Sequence, residues 1–182
     1  MRYLLIALAM LAGCSATEPQ RVVEPRSFSG EAPRGDALLR RVMIEGHNAA
    51  RARAGVPPLV WDAALAADAK SYARALAASG RFEHSRQPER EGRQGENLWT
   101  GTRGAYLYEE MMAHWVDEIR FYRPEPTPNF STSGRWEDVA HYTQIIWRNS
   151  TAFGCATASS PTDDYLVCRY TPPGNVVGQL AT

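Results

Sequence analysis

The run Ala140-His141-Tyr142-Thr143-Gln144-Ile145-Ile146-Trp147-Arg148-Asn149-Ser150 is the stretch on which the fold turns. It is apolar enough for a short helix or a buried strand, and periodicity alone does not choose between them. Just downstream, Thr151 to Ala158 and Tyr165 to Thr171 read as the two strands of a β-hairpin, with Pro161-Thr162-Asp163-Asp164 as the turn. Cys155 and Cys168 then fall on neighbouring strands.

Upstream, the pattern is helical. Asp36 is placed to cap a helix running to about Ala54, with Leu39, Val42, Met43 and Gly46 on one face and Gly55 as its stop. Pro57-Pro58 forces an extended step into Leu59-Val60-Trp61. Asp62 is placed to cap a second helix, Ala63 to Ser79, ended by Gly80. Arg81 to Arg93 is polar and irregular, and Glu96 to Trp99 reads as a short extended piece. Leu107, Met111, Trp115 and Ile119 recur every four residues, which predicts a third helix from Ala105 to Ile119. Three prolines make Arg123 to Trp136 a loop. Helices followed by strands point to an α+β or three-layer arrangement rather than alternating βαβ units.

The N-terminus bears on the compartment. Arg2 supplies a positive start, Tyr3 to Leu11 is almost wholly apolar, and Leu11-Ala12-Gly13-Cys14 follows. The apolar run is shorter than the roughly 20 residues that span a bilayer, so residues 1–13 read as a cleaved leader. The Leu-Ala-Gly-Cys ending is similar to a bacterial lipobox, which would make Cys14 a lipidated N-terminus and a membrane anchor. The alternative is a plain signal peptide that contains a cysteine. Ser15 to Gly35 is rich in Pro, Glu, Ser and Arg, so residues 14–35 are expected to form a disordered tether and residues 36–182 the folded domain. Because Ser15 and not Asp follows Cys14, the outer membrane of a two-membrane, periplasm-containing envelope is the expected address.

The formal net charge is zero, and loss of the leader removes only Arg2. Such a balance leaves no electrostatic footprint for nucleic acid. Without Cys14 the domain holds two cysteines, Cys155 and Cys168. In an exported chain they are most simply a disulfide, the alternative being two buried thiols.

Four histidines are present: His47, His84, His114 and His141. No His-Glu-x-x-His, Cys-x-x-Cys, Gly-x-Ser-x-Gly or phosphate-binding glycine loop accompanies them. Residue chemistry alone stops at an exported globular domain with histidines.

The motifs reach further. The 140–150 run resembles the first signature of the CAP superfamily, which holds cysteine-rich secretory proteins, antigen 5 and pathogenesis-related proteins. Tyr165-Leu166-Val167-Cys168-Arg169-Tyr170, leading into Pro172-Pro173-Gly174-Asn175, resembles the second. His47-Asn48-Ala49-Ala50-Arg51 is similar to the family's His-Asn-x-x-Arg helix, and Gly95-Glu96-Asn97-Leu98 to its Gly-Glu-Asn-Leu element. The four stand in the family order. The resemblance implies a three-layer α-β-α sandwich with a small central antiparallel sheet. It also implies a cleft lined by two histidines and two acids: His84, Glu96, Glu118 and His141. Asp117 lies beside Glu118, and helix phase alone chooses between them.

Neutral imidazoles in such a set bind a divalent cation, Zn2+ above all, and the carboxylates hold its water or fix the histidine tautomers. A polar network that only shapes the cleft is the bland alternative. His47 is expected to be a core histidine bonded to backbone, and Trp61, Trp115 and Trp147 to be core. The expected function is a non-enzymatic module on the cell envelope, monomeric, taking a lipid, a sterol-like ligand or a protein partner. Phe121, Tyr122, Phe130 and Trp136 are offered as an aromatic loop beside an apolar groove, or as packing of that loop onto the domain. A metal-dependent hydrolase of peptide, lipid or cell-wall material, using the same four residues, is the alternative function.

Overall fold

The computed structural model describes residues 26–89 and 91–182. The expected leader, Cys14 and the first part of the tether lie outside them. Helix α1 is Asp36–Arg53 and is followed by a two-residue strand β1, Val60–Trp61. Next come α2, Ala63–Ser79, and β2, Gly95–Thr102. Helix α3, Tyr108–Val116, runs into a 3-10 segment, Asp117–Phe121. A second 3-10 turn leads into α4, Ala140–Ile146, and the hairpin β3, Ala152–Ser159, and β4, Asp163–Thr171, completes the set. The 140–146 run is thus a helix.

The sheet order is β1-β3-β4-β2. The hairpin and the β2–β4 pair are antiparallel, but β1 runs parallel to β3 through Val60 opposite Ala152 and Trp61 opposite Phe153. The expected antiparallel sheet is therefore a mixed one. The reason is local. The Asn48 side chain grips the backbone of Leu59 at both N–H (2.8 Å) and C=O (3.2 Å), which pins the segment after Pro57-Pro58 along α1. Val60 N–H then donates to Thr151 O and Asp62 N–H to Phe153 O, in the same direction as β3.

Helix α2 covers one face of the sheet, and α1, α3 and α4 cover the other. Strand alternation divides the side chains accordingly. Tyr165 and Val167 of β4 join Ala69, Ala73 and Leu76 under α2, while Leu166, Cys168 and Tyr170 face the larger core with Met43, Trp115, Ile145 and Trp147. Gly154 permits the α2 approach: a Cβ there would overlap backbone atoms of Ala66 and Asp62. The Asp62 carboxylate caps α2 at the N–H groups of Ala64 and Leu65, and Gly80 stops it with φ 68°. Cys155 and Cys168 are paired opposite each other and form a disulfide. Among the described residues no helix is long and apolar enough to cross a membrane.

Other expectations shift in detail. β2 is eight residues long and pairs with β4 throughout, not a short piece. The third helix starts later and ends sooner than its apolar spacing suggests, because the Glu110 carboxylate reaches back to Leu107 N–H and the chain tightens to 3-10 after Val116. Gly35 occupies the α1 cap position, and Asp36 is instead the first helical residue, 2.9 Å from Lys70 Nζ. Part of the expected tether is docked. Ala32 is buried with its N–H on Gly104 O, Arg34 pairs with Asp164 at 2.6 Å, and Ser27 bonds Glu110.

The His-Asn-x-x-Arg motif of α1 is structural. Arg51 is fully buried and donates to the carbonyls of Pro57, Ile145, Trp147 and Ser150. Burial, with Arg148 nearby, lowers its pKa to about 10, which leaves it charged at neutral pH. His47, one turn earlier, places Nδ1 2.7 Å from Met43 O and Nε2 2.8 Å from the Tyr170 hydroxyl. A carbonyl only accepts, so the ring is the Nδ1–H tautomer and Tyr170 donates to Nε2. Burial lowers the His47 pKa to about 3.

Replacing Arg51 with Met removes the partner of four carbonyls, three of them in buried bonds, so the unfolding free energy should fall by about 3 kcal/mol or more; urea titration checks it, and Arg51→Lys should recover only part. The unfolded chain protonates His47 near its ordinary 6.5 whereas the folded chain waits until about 3. Stability is thus fully expressed above pH 6.5 and declines as pH falls toward 3, by about 1.4 kcal/mol per pH unit for this one proton. A His47→Asn chain followed by urea midpoints across that window should show a correspondingly shallower decline.

Candidate functional site

The opening residues of β2 carry the site. Glu96 has a side chain only 5 % exposed, and the loop after α2 brings His84 to it, Nδ1 to Oε1 at 2.7 Å. Ser85 N–H donates to the same oxygen at 2.9 Å. On β4, Arg169 is the direct cross-strand neighbour of Glu96 and sets Nη2 2.9 Å from Oε2, with its guanidinium over the Tyr72 ring. This contact is one of charge rather than alignment, since Glu96 Oε2 and Arg169 Nε are both sealed from solvent without a hydrogen-bond partner. Burial pushes the Glu96 carboxyl up, but the His84 and Ser85 hydrogen bonds and the Arg169 charge outweigh it and hold the group below its ordinary value. It is a carboxylate at neutral pH, so His84 must donate Nδ1–H to it. That leaves the lone pair of neutral His84 on Nε2, on a ring whose side chain is 66 % exposed.

The second pair repeats the arrangement on other elements. His141, second residue of α4, sets Nδ1 2.6 Å from Glu118 Oε1. Glu118 Oε2 accepts the backbone N–H groups of both His141 and Tyr142 at 3.0 Å. No side chain at the α4 N-cap position does this work, so Glu118 caps the helix from the neighbouring 3-10 segment. The tightening after Val116 turns Glu118 to α4 and leaves Asp117 exposed. The His141 ring stacks on Trp115 at 5.8 Å between centroids, and Trp115 Nε1–H donates to Leu98 O.

Asn97 joins the two halves. Its amide donates to His141 O at 3.1 Å and to the Tyr170 hydroxyl at 3.2 Å, which continues to His47. Because β2 alternates, Glu96 turns toward the α2 side of the sheet and Asn97 toward the α4 side. The structure thus brings His84 to Glu96 and His141 to Glu118. Among the described residues, no three of these four converge with ligand atoms all within 4.8 Å of one another. The donor chemistry suits a divalent cation, since a carboxylate fixes each imidazole with Nε2 open, yet the set is two oriented imidazoles and not a closed three-ligand cage. His47 lies within 4.8 Å of both cysteine sulfurs, but those sulfurs are bonded to each other and both ring nitrogens are taken. His114 stands apart and accepts Trp99 Nε1–H at 2.9 Å.

Tyr142 and Gln144 do not open toward solvent. Tyr142 packs edge-on against Tyr122, and Gln144 accepts Gly174 N–H and reaches Ser150. The aromatic loop is mainly packing: Phe130 is fully buried and Phe121 and Tyr122 lie against the core, while Trp136 remains 45 % exposed. Asn175 adopts φ 54° and ties Thr143 and Ala140 to the end of β4. Sequence reasoning passed over Arg169, Ser85 and Asn97. Arg169 had a signal, as the one charged residue in the otherwise apolar Tyr165–Tyr170 run.

Residues 44–170 match the family model described as cysteine-rich secretory protein family, CAP. Pathogenesis-related protein 1B of Nicotiana tabacum is 39 % identical over 137 residues, covering 75 % of this chain and 76 % of the relative. Pathogenesis-related protein 1 of Arabidopsis thaliana is 36 % identical over 137 residues, covering 75 % and 78 %. Among solved structures, BmVAL-1 aligns with a TM-score of 0.64 at 21 % identity over 85 % of this chain and 86 % of its own. The crystal structure of NaASP2 with Zn2+ aligns at 0.63 and 22 % identity over 82 % and 88 %. Those likenesses agree with the three-layer fold, and the sequence matches decide the family: the chain belongs to the CAP family, in company with the PR-1 type of pathogenesis-related proteins.

Proposed function

We propose that the chain is an exported, non-enzymatic binding module for a lipid, sterol-like or protein ligand, with His84 and His141 as reversible ligands for a divalent cation. The observation that carries this reading is the shared polarity of the two pairs. In each, a carboxylate accepts Nδ1–H at 2.6–2.7 Å, so each neutral ring offers Nε2 outward. A bound metal would supply a Lewis-acidic anchor for a ligand's oxygen or nitrogen. NaASP2, a structural neighbour, was crystallised with Zn2+. With two imidazoles and no closed cage, the metal would be exchangeable rather than structural.

The hydrolase reading draws less support from the geometry. A general base needs a free carboxylate oxygen near a water. Here Glu118 is spent on two backbone N–H groups and His141, and Glu96 on His84, Ser85 and Arg169. Both acids serve as orienting groups. Export is supported by the Cys155–Cys168 disulfide, which persists in oxidising compartments. Lipidation at Cys14 would hold the domain on the envelope membrane, and mass spectrometry of the mature N-terminus decides it.

Zinc competition with a chromophoric chelator should give a saturable one-site isotherm that weakens as pH is lowered, because protons and metal compete for the imidazoles. The His84→Ala, His141→Ala double variant should abolish it, and retained affinity in that variant would sink the reading. Glu118→Gln, which keeps an oxygen for the α4 cap but loses the anionic partner of His141, should weaken zinc about tenfold or more while far-UV circular dichroism stays unchanged. Vesicle and sterol pulldowns with the same proteins separate an apolar ligand from a protein partner.

A further inference from the structure

Beside the first histidine pair, Ser85, Arg86, Gln87, Gly92 and Gln94 leave a polar pocket of about 430 Å3 against α2 and β4. That size is within the range of small-molecule sites. The pocket uses neither histidine, although Ser85 and Arg169 touch both it and Glu96. Its hydrogen-bond accounting is lopsided. Gln94 is spent at both ends, donating to Asp68 at 2.6 Å and accepting from Arg169 at 3.5 Å. Gln87 accepts Gln94 N–H and donates to Ser85 Oγ. Tyr72 donates its hydroxyl to Glu83 O.

What remains without a partner among the described residues is mostly donor. The exposed Arg86 guanidinium and the Ser71 hydroxyl line the pocket without a hydrogen bond to the protein. Arg169, 6 % exposed at its side chain, sets its charge at the pocket wall, held between Glu96 and the Tyr72 ring. The acceptors nearby are the serine hydroxyls and the second oxygen of Asp68, an exposed residue of α2, while the unpartnered Glu96 Oε2 is sealed from solvent. A ligand that completes this set must bring acceptors, and a guanidinium favours paired, planar or tetrahedral oxygens.

We infer that this pocket binds the oxyanion end of a small polar molecule, a carboxylate or a phosphoryl group, with Arg86 and Ser71 as its donors above a fixed Arg169 charge. The class rests on vacant donors and on the polar lining, and it does not depend on metal at the histidines.

The full chain, 15N-labelled, is titrated with inorganic phosphate and separately with acetate, with chloride at matched ionic strength as the reference, while the arginine Nε–Hε resonances are followed. Saturable shifts at Arg86 and Arg169 are expected. Arg86→Gln, an exposed change that should leave the urea midpoint in place, should weaken the titration at least tenfold, and Ser71→Ala severalfold. Tighter phosphate assigns a phosphoryl group and tighter acetate a carboxylate. Shifts that do not saturate, that match chloride, or that survive Arg86→Gln unchanged overturn the inference.

Discussion

One buried cation holds the architecture in register. Among the described residues Arg51 has no carboxylate partner, and four backbone carbonyls from the segments around Pro57 and from Ile145 to Ser150 converge on it. Three of those carbonyls belong to the end of α4 and the approach to β3, and the fourth, that of Pro57, to the link between α1 and β1. A charge without a counter-ion is costly to bury unless every proton finds an acceptor, so the loops must take one shape for the cation to be tolerated. That shape fixes where α4 ends, and α4 carries His141. The neighbouring Asn48 does the same for Leu59 and hence for the parallel strand β1.

The two histidine–glutamate pairs hang from this frame by carboxylates that each do two jobs. Glu118 closes the start of α4 and aims His141; Glu96 closes the loop at Ser85 and aims His84. Fold and site therefore cannot be separated at these positions: removing either acid disturbs a backbone connection as well as an imidazole. Arg169 makes the Glu96 side more rigid still, because the pair is clamped between strands and an aromatic ring.

The sequence made α2 and the hairpin legible because each carries its own punctuation: Asp62 and Gly80 bound α2, and a turn joins the strands, although it spans residues 160–162 rather than Pro161 to Asp164 because Asp163 and Asp164 already belong to β4. The cysteine pairing followed from their places on facing strands. The parallel direction of β1 was not legible, since it depends on a side-chain grip by Asn48 from another element. Nor was the early end of α3, where the apolar spacing continues to Ile119 although the backbone winds tighter. The four site residues were reached by motif resemblance, and their local partners could not be, because the capping role of Glu118 and the cross-strand place of Arg169 exist only in three dimensions. Ser15 to Gly35 was misjudged in part: composition signalled disorder, but Ala32 and Arg34 find a buried slot and a buried carboxylate on the domain.

That docked segment has a mechanical consequence. It meets the domain at Gly104, Glu110 and Asp164, by the finish of β2, whereas Glu96 stands at the strand's beginning. Thr102 lies six residue steps of extended chain beyond Glu96, roughly 20 Å at the usual rise per strand residue. Any pull transmitted through the N-terminus is received at that far end, by the Arg34–Asp164 clasp, before it reaches the imidazoles. The N-terminal segment and the His84–Glu96 pair thus lie at opposite ends of β2.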